Sequence, residues 1–465
     1  MTREWVAGRR RPGRGTGDGY VRAVDEVVGL ASDLIRIDTT NTGDEATTVG
    51  ERAAAEYVAG KLAEVGYEAT YLESGARGRG NVIARLAGAD PGRGALLVHG
   101  HLDVVPADAA EWSVHPFSGE VSDGYLWGRG AIDMKHMVAM ALAVARQFKR
   151  DGYLPPRDLI FAFVADEESG GFHGARWLAE HRADLFEGAT EAISEVGGFS
   201  VTVADGVRAY LVQTAEKGAL WLRLRARGRA GHGSLPTADN AVARLAAAVT
   251  RLDRHRFPLV WTDPVRRLVA AVGSLTGREI PPDDPERAIA ELGELAETGG
   301  LPGLGGLSRL IAATLRDTAT VTVFHAGYKA NVVPSSASAE VDCRVLPGRE
   351  EDFVRELAGV LGPDIEWEWD SLPAIETTFD GRLVDSMRAA ILAEDPAGQV
   401  LPYLLPAATD AKSFQRLGIR HFGFAPLRLP ADLDFPALFH GVDERVPVDG
   451  LRFGTRVLER LLRTC

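Results

Sequence analysis

Cys343 and Cys465 are the only thiols in 465 residues. So few cannot staple a chain of this length, which excludes a disulfide scaffold and leads us to expect a reduced, cytoplasmic setting. Long apolar runs are missing too: none approaches the roughly 20 residues that a membrane helix needs. Basic charge is in deficit, with 52 Lys and Arg against 65 Asp and Glu and a net charge of −13. That balance argues against nucleic acid as a partner over the whole surface. No apolar segment follows the basic start MTREWVAGRRRPGRGTGDGY, so it does not read as a signal peptide. Residues 1–20 read instead as a disordered basic tail, with an arm for anionic partners as the alternative. What is present is a globular composition, 45% hydrophobic and 25% charged, in a chain too long for one ordinary core.

From Glu26 onward helix-like stretches alternate with short apolar runs, the pattern of an α/β domain. ALLVHG (95–100), LIFAFVA (159–165), AIS (192–194) and GIRHFGFAP (418–426) read as buried strands. Near Lys217 the pattern changes. LWLRLRAR (220–227) alternates, with Leu220, Leu222, Leu224 and Ala226 opposite Trp221, Arg223, Arg225 and Arg227. ASAEVDCRV (337–345) alternates as well, placing Cys343 on its inner face and Glu340, Asp342 and Arg344 on the other. Strands of this kind belong to a sheet with one wet face, usually antiparallel. Val242, Leu245, Val249 and Leu252 form a helical stripe with Asp239 as a possible N-cap, and Phe353, Leu357 and Val360 form another. A Gly- and Pro-punctuated helical stretch at about 262–318 fits neither pattern. A final helix is expected at Leu451–Leu462. The parse is an α/β domain at 21–215 and 371–465, interrupted by an α+β insertion at 216–370.

Five places along the chain carry chemistry. His99-Gly100-His101-Leu102-Asp103 ends the first strand, at the edge where open α/β sheets bind ligands. There His101 could bind a metal while Asp103 holds its other ring nitrogen. Asp133, in Gly128-Arg129-Gly130-Ala131-Ile132-Asp133-Met134-Lys135, reads either as a plain N-cap or as a carboxylate bridging two ions. Asp166-Glu167-Glu168 ends the second strand; adjacent acids there are tolerable if solvated or neutralised by a cation. Glu195 ends the third strand, and His440 lies in the loop before the last helix. A carboxylate-plus-imidazole set suits Zn²⁺, and two ions about 3.5–4 Å apart suit amide hydrolysis.

With GHLDVVP (100–106), GRGAIDMK (128–135), DEESGG (166–171), SEVGG (194–198), GRAGHGSLP (228–236), NVVPSSASAEVDCRVLPG (331–348) and FHGVDER (439–445) in this order, the chain resembles the M20 family of metallopeptidases and amidohydrolases. The resemblance runs from about residue 25 to the C-terminus. It implies an α/β catalytic domain of zinc-peptidase type, a mixed sheet flanked by helices, with an inserted α+β lid and dimerisation domain. It implies that His101 and Glu195 ligate one Zn²⁺ and Glu168 and His440 the other, with Asp133 bridging. Asp103 would orient His101, and Glu167 would be the general base. His232 would stabilise the oxyanion, in dimeric members from the partner subunit. Asn331 and Arg344 would hold the substrate's carboxylate and backbone, although an ion pair with Asp342 or Glu340 is an equal reading of Arg344. Co²⁺ or Mn²⁺ can fill such oxygen- and nitrogen-rich sites.

The expected reaction is hydrolysis of an amide bond in a small molecule, a dipeptide or an N-acyl amino acid. A ureido or carbamoyl substrate and a metal-binding protein without turnover are the alternatives. A homodimer through the lid is expected where the lid edge is free. In PAATDAK (406–412), Ala407 and Ala408 stand where relatives often carry a glycine. His99, His115, His136, His173, His325 and His421 match no ligand position and read as structural. Trp367 and Trp369 read as lid core or rim, and neither cysteine as catalytic.

Overall fold

The computed structural model describes residues 3–6, 21–204, 206–278, 280–281, 284–299 and 302–465. Its centre is a run of parallel strands buried on both faces. Ala95–His101 lies between Leu159–Val164 and Ala189–Ser194, and Arg420–Gly423 follows, all parallel. Alternate residues serve opposite layers. Leu96, Val98, Phe161 and Phe163 join one core with Leu34, Met137 and Leu458, whereas Leu97, Ile160 and Ala162 join another with Leu178, Phe186 and Phe414. That is why these runs read as continuously apolar. Helices Ala23–Arg36, Lys135–Arg150 and Val448–Thr464 cover the first face.

The sheet turns antiparallel towards its edges. Gly80–Leu86 and Thr70–Glu73 extend one side, and Arg3–Val6 pairs with Thr70–Glu73 at the rim. The expectation of a disordered tail thus fails for residues 3–6: the short REWV segment adds backbone hydrogen bonds to an open edge. Residues 7–20 lie outside the described ones. On the other side Val207–Glu216 pairs antiparallel with Phe199–Ala204 and Arg420–Gly423 and parallel with Gln399–Leu405. The fold is therefore a mixed sheet flanked by helices. No helix among the described residues is long and apolar enough to cross a membrane.

A second, four-stranded antiparallel sheet stands apart, in the order Thr318–Ala326, Ser336–Val345, Gly218–Arg227, Ile365–Leu372. Leu220, Leu222, Leu224 and Ala226 meet Leu245 and Leu252 of helix Ala241–Arg254 and Phe353 and Leu357 of helix Glu350–Leu361. This core is separate from the larger ones. Its first helix is capped by Asn240, whose side chain accepts from the Val242 and Ala243 amides. Asp239, the expected cap, instead pairs with Arg244, because it stands one residue too early to reach the first turn's free amides. Trp367 packs against the core and stacks on the exposed Trp369 at 5.0 Å between centroids.

The stretch at 262–318 resolves into helices Asp263–Thr276, Pro285–Gly299 and Pro302–Ala313. Val265, Leu268, Val269, Val272, Leu307 and Ile311 join the large body's core, so these helices belong with the larger sheet although they interrupt the smaller body's sequence. The expected insertion at 216–370 thus spans residues of both bodies. Phe353→Ala should cost the smaller body about 3–5 kcal/mol by opening a cavity at a fully buried ring. Urea unfolding followed by the fluorescence of Trp367 and Trp369 measures it, and a loss below about 1 kcal/mol would refute an independent small core.

Candidate metal centre

The three central parallel strands end side by side, and their carboxyl ends deliver the chemistry. His101 is the last residue of its strand, Glu167 and Glu168 follow the 159–164 strand, and Glu195 follows the 189–194 strand. Loop geometry aims them. Asp166, Val196 and His440 adopt left-handed backbone conformations, with φ of 68°, 48° and 57°. For a β-branched residue such as Val196 that is a strained conformation, held only because its surroundings over-determine it. Gly197 permits the turn after Glu195, because a Cβ there would lie 1.9 Å from the Gly423 carbonyl oxygen.

Asp133 joins the two halves. Its Oδ1 lies 3.1 Å from His101 Nε2 and its Oδ2 lies 3.2 Å from His440 Nε2. Glu195 Oε2 approaches His101 Nε2 at 3.5 Å, and Glu168 Oε2 approaches His440 Nε2 at 3.3 Å. The following helix starts at Lys135 with Met134, not Asp133, in the cap position, which removes the N-cap reading of Asp133. His101 with Asp133 and Glu195, and His440 with Asp133 and Glu168, offer ligand atoms within 4.8 Å of one another. A third set, His101 with Glu167 and Glu168, overlaps them.

The charges ask for cations. Burial pushes Glu195 up to about 7 against the pull of His101. Desolvation, with Glu195 adding to it, holds Glu167 well above the usual carboxylate range, and Glu168 and Asp410 are raised by the same cause. Desolvation opposes a charge on His101, yet Glu195, Asp103 and Asp133 keep its imidazole well above its ordinary value. Hydrogen bonds with Asp133 and Glu168 push His440 up to about 10. Glu168 Oε1 and Asp410 Oδ2 are buried without a hydrogen-bond partner. A crowd of desolvated carboxylates with spare lone pairs beside two imidazoles fits a pair of divalent cations of the borderline type.

Behind these groups stand Asp103, which the motifs singled out, and Asn41 and Glu444, which they did not. Asp103 accepts the Glu167 and Glu168 amides, each at 3.1 Å, and the Asn41 Nδ2 at 2.8 Å. Its own backbone carbonyl lies 3.0 Å from His101 Nδ1, while its carboxylate is 3.5 Å away. The expected carboxylate–histidine contact is thus secondary, because the Asp103 oxygens are engaged by the acidic turn. Glu444 organises the other loop: it is buried and accepts the amides of Gly130, Ile132 and Asp133 and the Arg129 guanidinium. Its signal was an acid in FHGVDER next to a loop of donors; Asn41, in a polar turn, gave none. His99 and His421 form a buried pair with Nε2 atoms 2.9 Å apart.

A cavity of about 560 Å³ opens on this centre, lined by Asp133, Glu167, Glu168, Glu195 and His440. Arg344, Trp221 and Leu372 of the smaller sheet also border it. Arg344 is held bidentately by Asp342 at 2.7 and 3.0 Å, so it is at once a wall residue and half of an ion pair. His232 and Asn331 are not brought to this cavity. They are exposed on a two-stranded ribbon, Gly231–His232 with Val332–Val333, and His232 Nδ1 lies 2.8 Å from Ser234 Oγ.

A model of peptidase family M20/M25/M40 matches residues 97–464. The chain belongs to this family. The M20 assignment makes it a hydrolytic enzyme of the peptidase and amidohydrolase kind. It is 30% identical over 401 residues to a probable carboxypeptidase S-like 2 of Dictyostelium discoideum, covering 79% of this chain and 72% of that protein. It is 27% identical over 449 residues to the N-fatty-acyl-amino acid synthase/hydrolase PM20D1 of Xenopus tropicalis, covering 92% and 83%. The M20 family metallo-carboxypeptidase Sso-CP2 of Sulfolobus solfataricus superposes with a TM-score of 0.68 at 17% identity, covering 95% of this chain and 99% of that one.

Removing the Glu444 carboxylate leaves three amides and a guanidinium facing an apolar void. Glu444→Ala should therefore cost about 3–5 kcal/mol in chemical unfolding. A loss within about 0.5 kcal/mol would show that the Asp133 loop holds its shape unaided.

Proposed function

We propose that this M20 enzyme hydrolyses the amide bond of N-acyl amino acids or small peptides with two Zn²⁺, Co²⁺ and Mn²⁺ being alternatives for the same donors. The carrying observation is the Asp133 carboxylate, with one oxygen turned to His101 and the other to His440. In this reading His101 and Glu195 hold one ion, Glu168 and His440 the other, and Asp133 bridges. A bound pair of cations supplies a water of lowered pKa and polarises the scissile carbonyl.

The remaining work falls to side chains. Glu167 borders the cavity beside Glu168 without joining its contact with His440, which leaves its carboxylate to take a proton from the attacking water and give it to the leaving nitrogen. Asp103 keeps that base in place through the Glu167 amide. Arg344 offers a guanidinium fork for the substrate's carboxylate once Asp342 releases it. The walls away from the acids are apolar: Phe199, Leu310, Tyr403, Leu405 and Phe439. Such a surface favours an apolar acyl group or side chain, and the name of the Xenopus relative agrees with an N-acyl substrate. The smaller body acts as the lid. Its Thr318–Ala326 strand lies at a sheet edge, so pairing of two lids there would make a homodimer and carry the exposed His232 of one chain to its partner's centre to stabilise the oxyanion. The setting expected for the enzyme is the cytoplasm.

Amine release from a panel of N-acyl amino acids, dipeptides and ureido acids tests the reading. Cleavage of an N-acyl or peptide substrate should vanish with a chelator and return with Zn²⁺; release from ureido acids alone would overturn the substrate class. Glu167→Gln should lower kcat by about 10²–10⁴-fold with metal content unchanged. A variant within tenfold of the parent would remove Glu167 as the base.

A further inference from the structure

The chain passes between its two bodies at 216–218, 255–262, 314–317 and 372–375. These crossings are tied to one another. Val260 donates its amide to the Leu315 carbonyl at 2.8 Å, joining two of them. Lys217 Nζ donates to the Arg316 carbonyl at 2.5 Å, joining a third. Lys412 completes the set: its Nζ donates to the Lys217 carbonyl at 2.7 Å and to the Pro373 carbonyl at 2.9 Å. Its remaining donor faces Glu216 Oε2 at 3.5 Å. An ammonium has three donors, and here all three are committed to the connections. The crossings at 216–218 and 372–375 are also in close contact, since a Cβ on Gly218 would lie 3.0 Å from the Ala374 nitrogen.

Lys412 does not come from either connection. It lies in the short helix Ala411–Gln415, which continues the 406–410 loop, and Ala407, Ala408, Thr409, Asp410 and Ser413 of this segment border the cavity over the metal centre. The same loop holds Glu216 a second time: Thr409 donates its amide at 3.1 Å and its hydroxyl at 2.5 Å to that carboxylate. Lys412 and Glu216 side chains are almost wholly buried, at 1% and 0% exposed. A charge pair costs desolvation wherever it is buried, and this one sits where the lid joins the body.

We infer that Lys412 is a positioning residue that clamps the lid connections to the cavity loop and so fixes the angle of the smaller body over the active centre. Trp221, Arg344 and Leu372 are the cavity walls that this angle places. Trp221 and Leu372 lie on strands that begin or end at the clamped crossings, and Arg344 lies on Ser336–Val345, which pairs with the strand carrying Trp221. The clamp stands on the geometry alone; only its kinetic consequence rests on the proposed hydrolysis.

The test is a distance measured across the two bodies. Nitroxides at Glu56→Cys on helix Arg52–Glu64 and Arg355→Cys on the lid helix report it, since both positions are exposed and Cys343 and Cys465 are buried. Electron–electron double resonance should give one narrow distribution in the parent and a broadened or shifted one in Lys412→Met. kcat/KM of that variant should fall by about 10- to 100-fold with metal content intact. If Lys412→Met fails to fold because the buried Glu216 loses its cation, Glu216→Gln/Lys412→Met removes both charges and carries the same expectations. A folded variant with the parental distance distribution overturns the clamp. An altered distribution in a variant that retains its metal, from a parent that cleaves no amide, would uphold the clamp and sink the hydrolase reading instead.

Discussion

One carboxylate shared between two imidazoles sets the terms for the rest of this molecule. Asp133 can face His101 and His440 together only if a strand end, a glycine loop and a segment some three hundred residues further along meet at one point. Parallel strands supply the fixed side of that meeting, because their carboxyl ends lie level and deliver His101, the Glu167–Glu168 turn and Glu195 to one crevice. The other side is supplied by loops, and these are anchored by anions. Asp103 gathers the amides of the acidic turn, and Glu444 gathers those of the Asp133 loop. Each anchor is a buried carboxylate satisfied by backbone donors, the arrangement that makes a polar network rigid rather than merely tolerated.

Strain marks the same places. His440, which faces Asp133, and Val196, next to the Glu195 that faces His101, hold unfavourable backbone angles. Their cost is met by the cores beneath, where the central strands are packed from both faces. The smaller sheet answers a different need. Its own helices cover one face, and three of its side chains from the other reach the cavity. A wall that belongs to a separately packed body can be placed by a hinge without disturbing the centre.

Much of this was legible in the residues. Continuous apolar runs at 95–100 and 159–165 marked the strands whose ends carry His101 and Glu167, since burial on both faces erases alternation. Alternation in LWLRLRAR marked the half-wet sheet just as clearly. The helices between 262 and 313 were not placeable, because a helical stripe says that it must be covered and not by which body. Arg3–Val6 was missed for a similar reason: four residues gain strand structure only from the edge they meet. Among site residues, acids and histidines at strand ends stood out. Asn41 acts through the Asp103 carboxylate and Glu444 through backbone amides, both far away in the chain, and no local spacing encodes such a meeting. Asp103 was singled out, but the partners that dominate its contacts were not.

The interleaving of the two bodies has a consequence for synthesis. His101, Asp133, Glu168 and Glu195 leave the ribosome well before His440 and Glu444. Until then the strand ends present several acids and one histidine, with a central edge of the sheet waiting for the 399–405 and 420–423 strands. The nascent chain therefore holds half a centre until His440 emerges, while the smaller sheet can already close around its own core. Assembly of the active crevice thus waits on residues far along the chain, and exposure of that unfinished sheet is the interval in which it most needs protection from its neighbours.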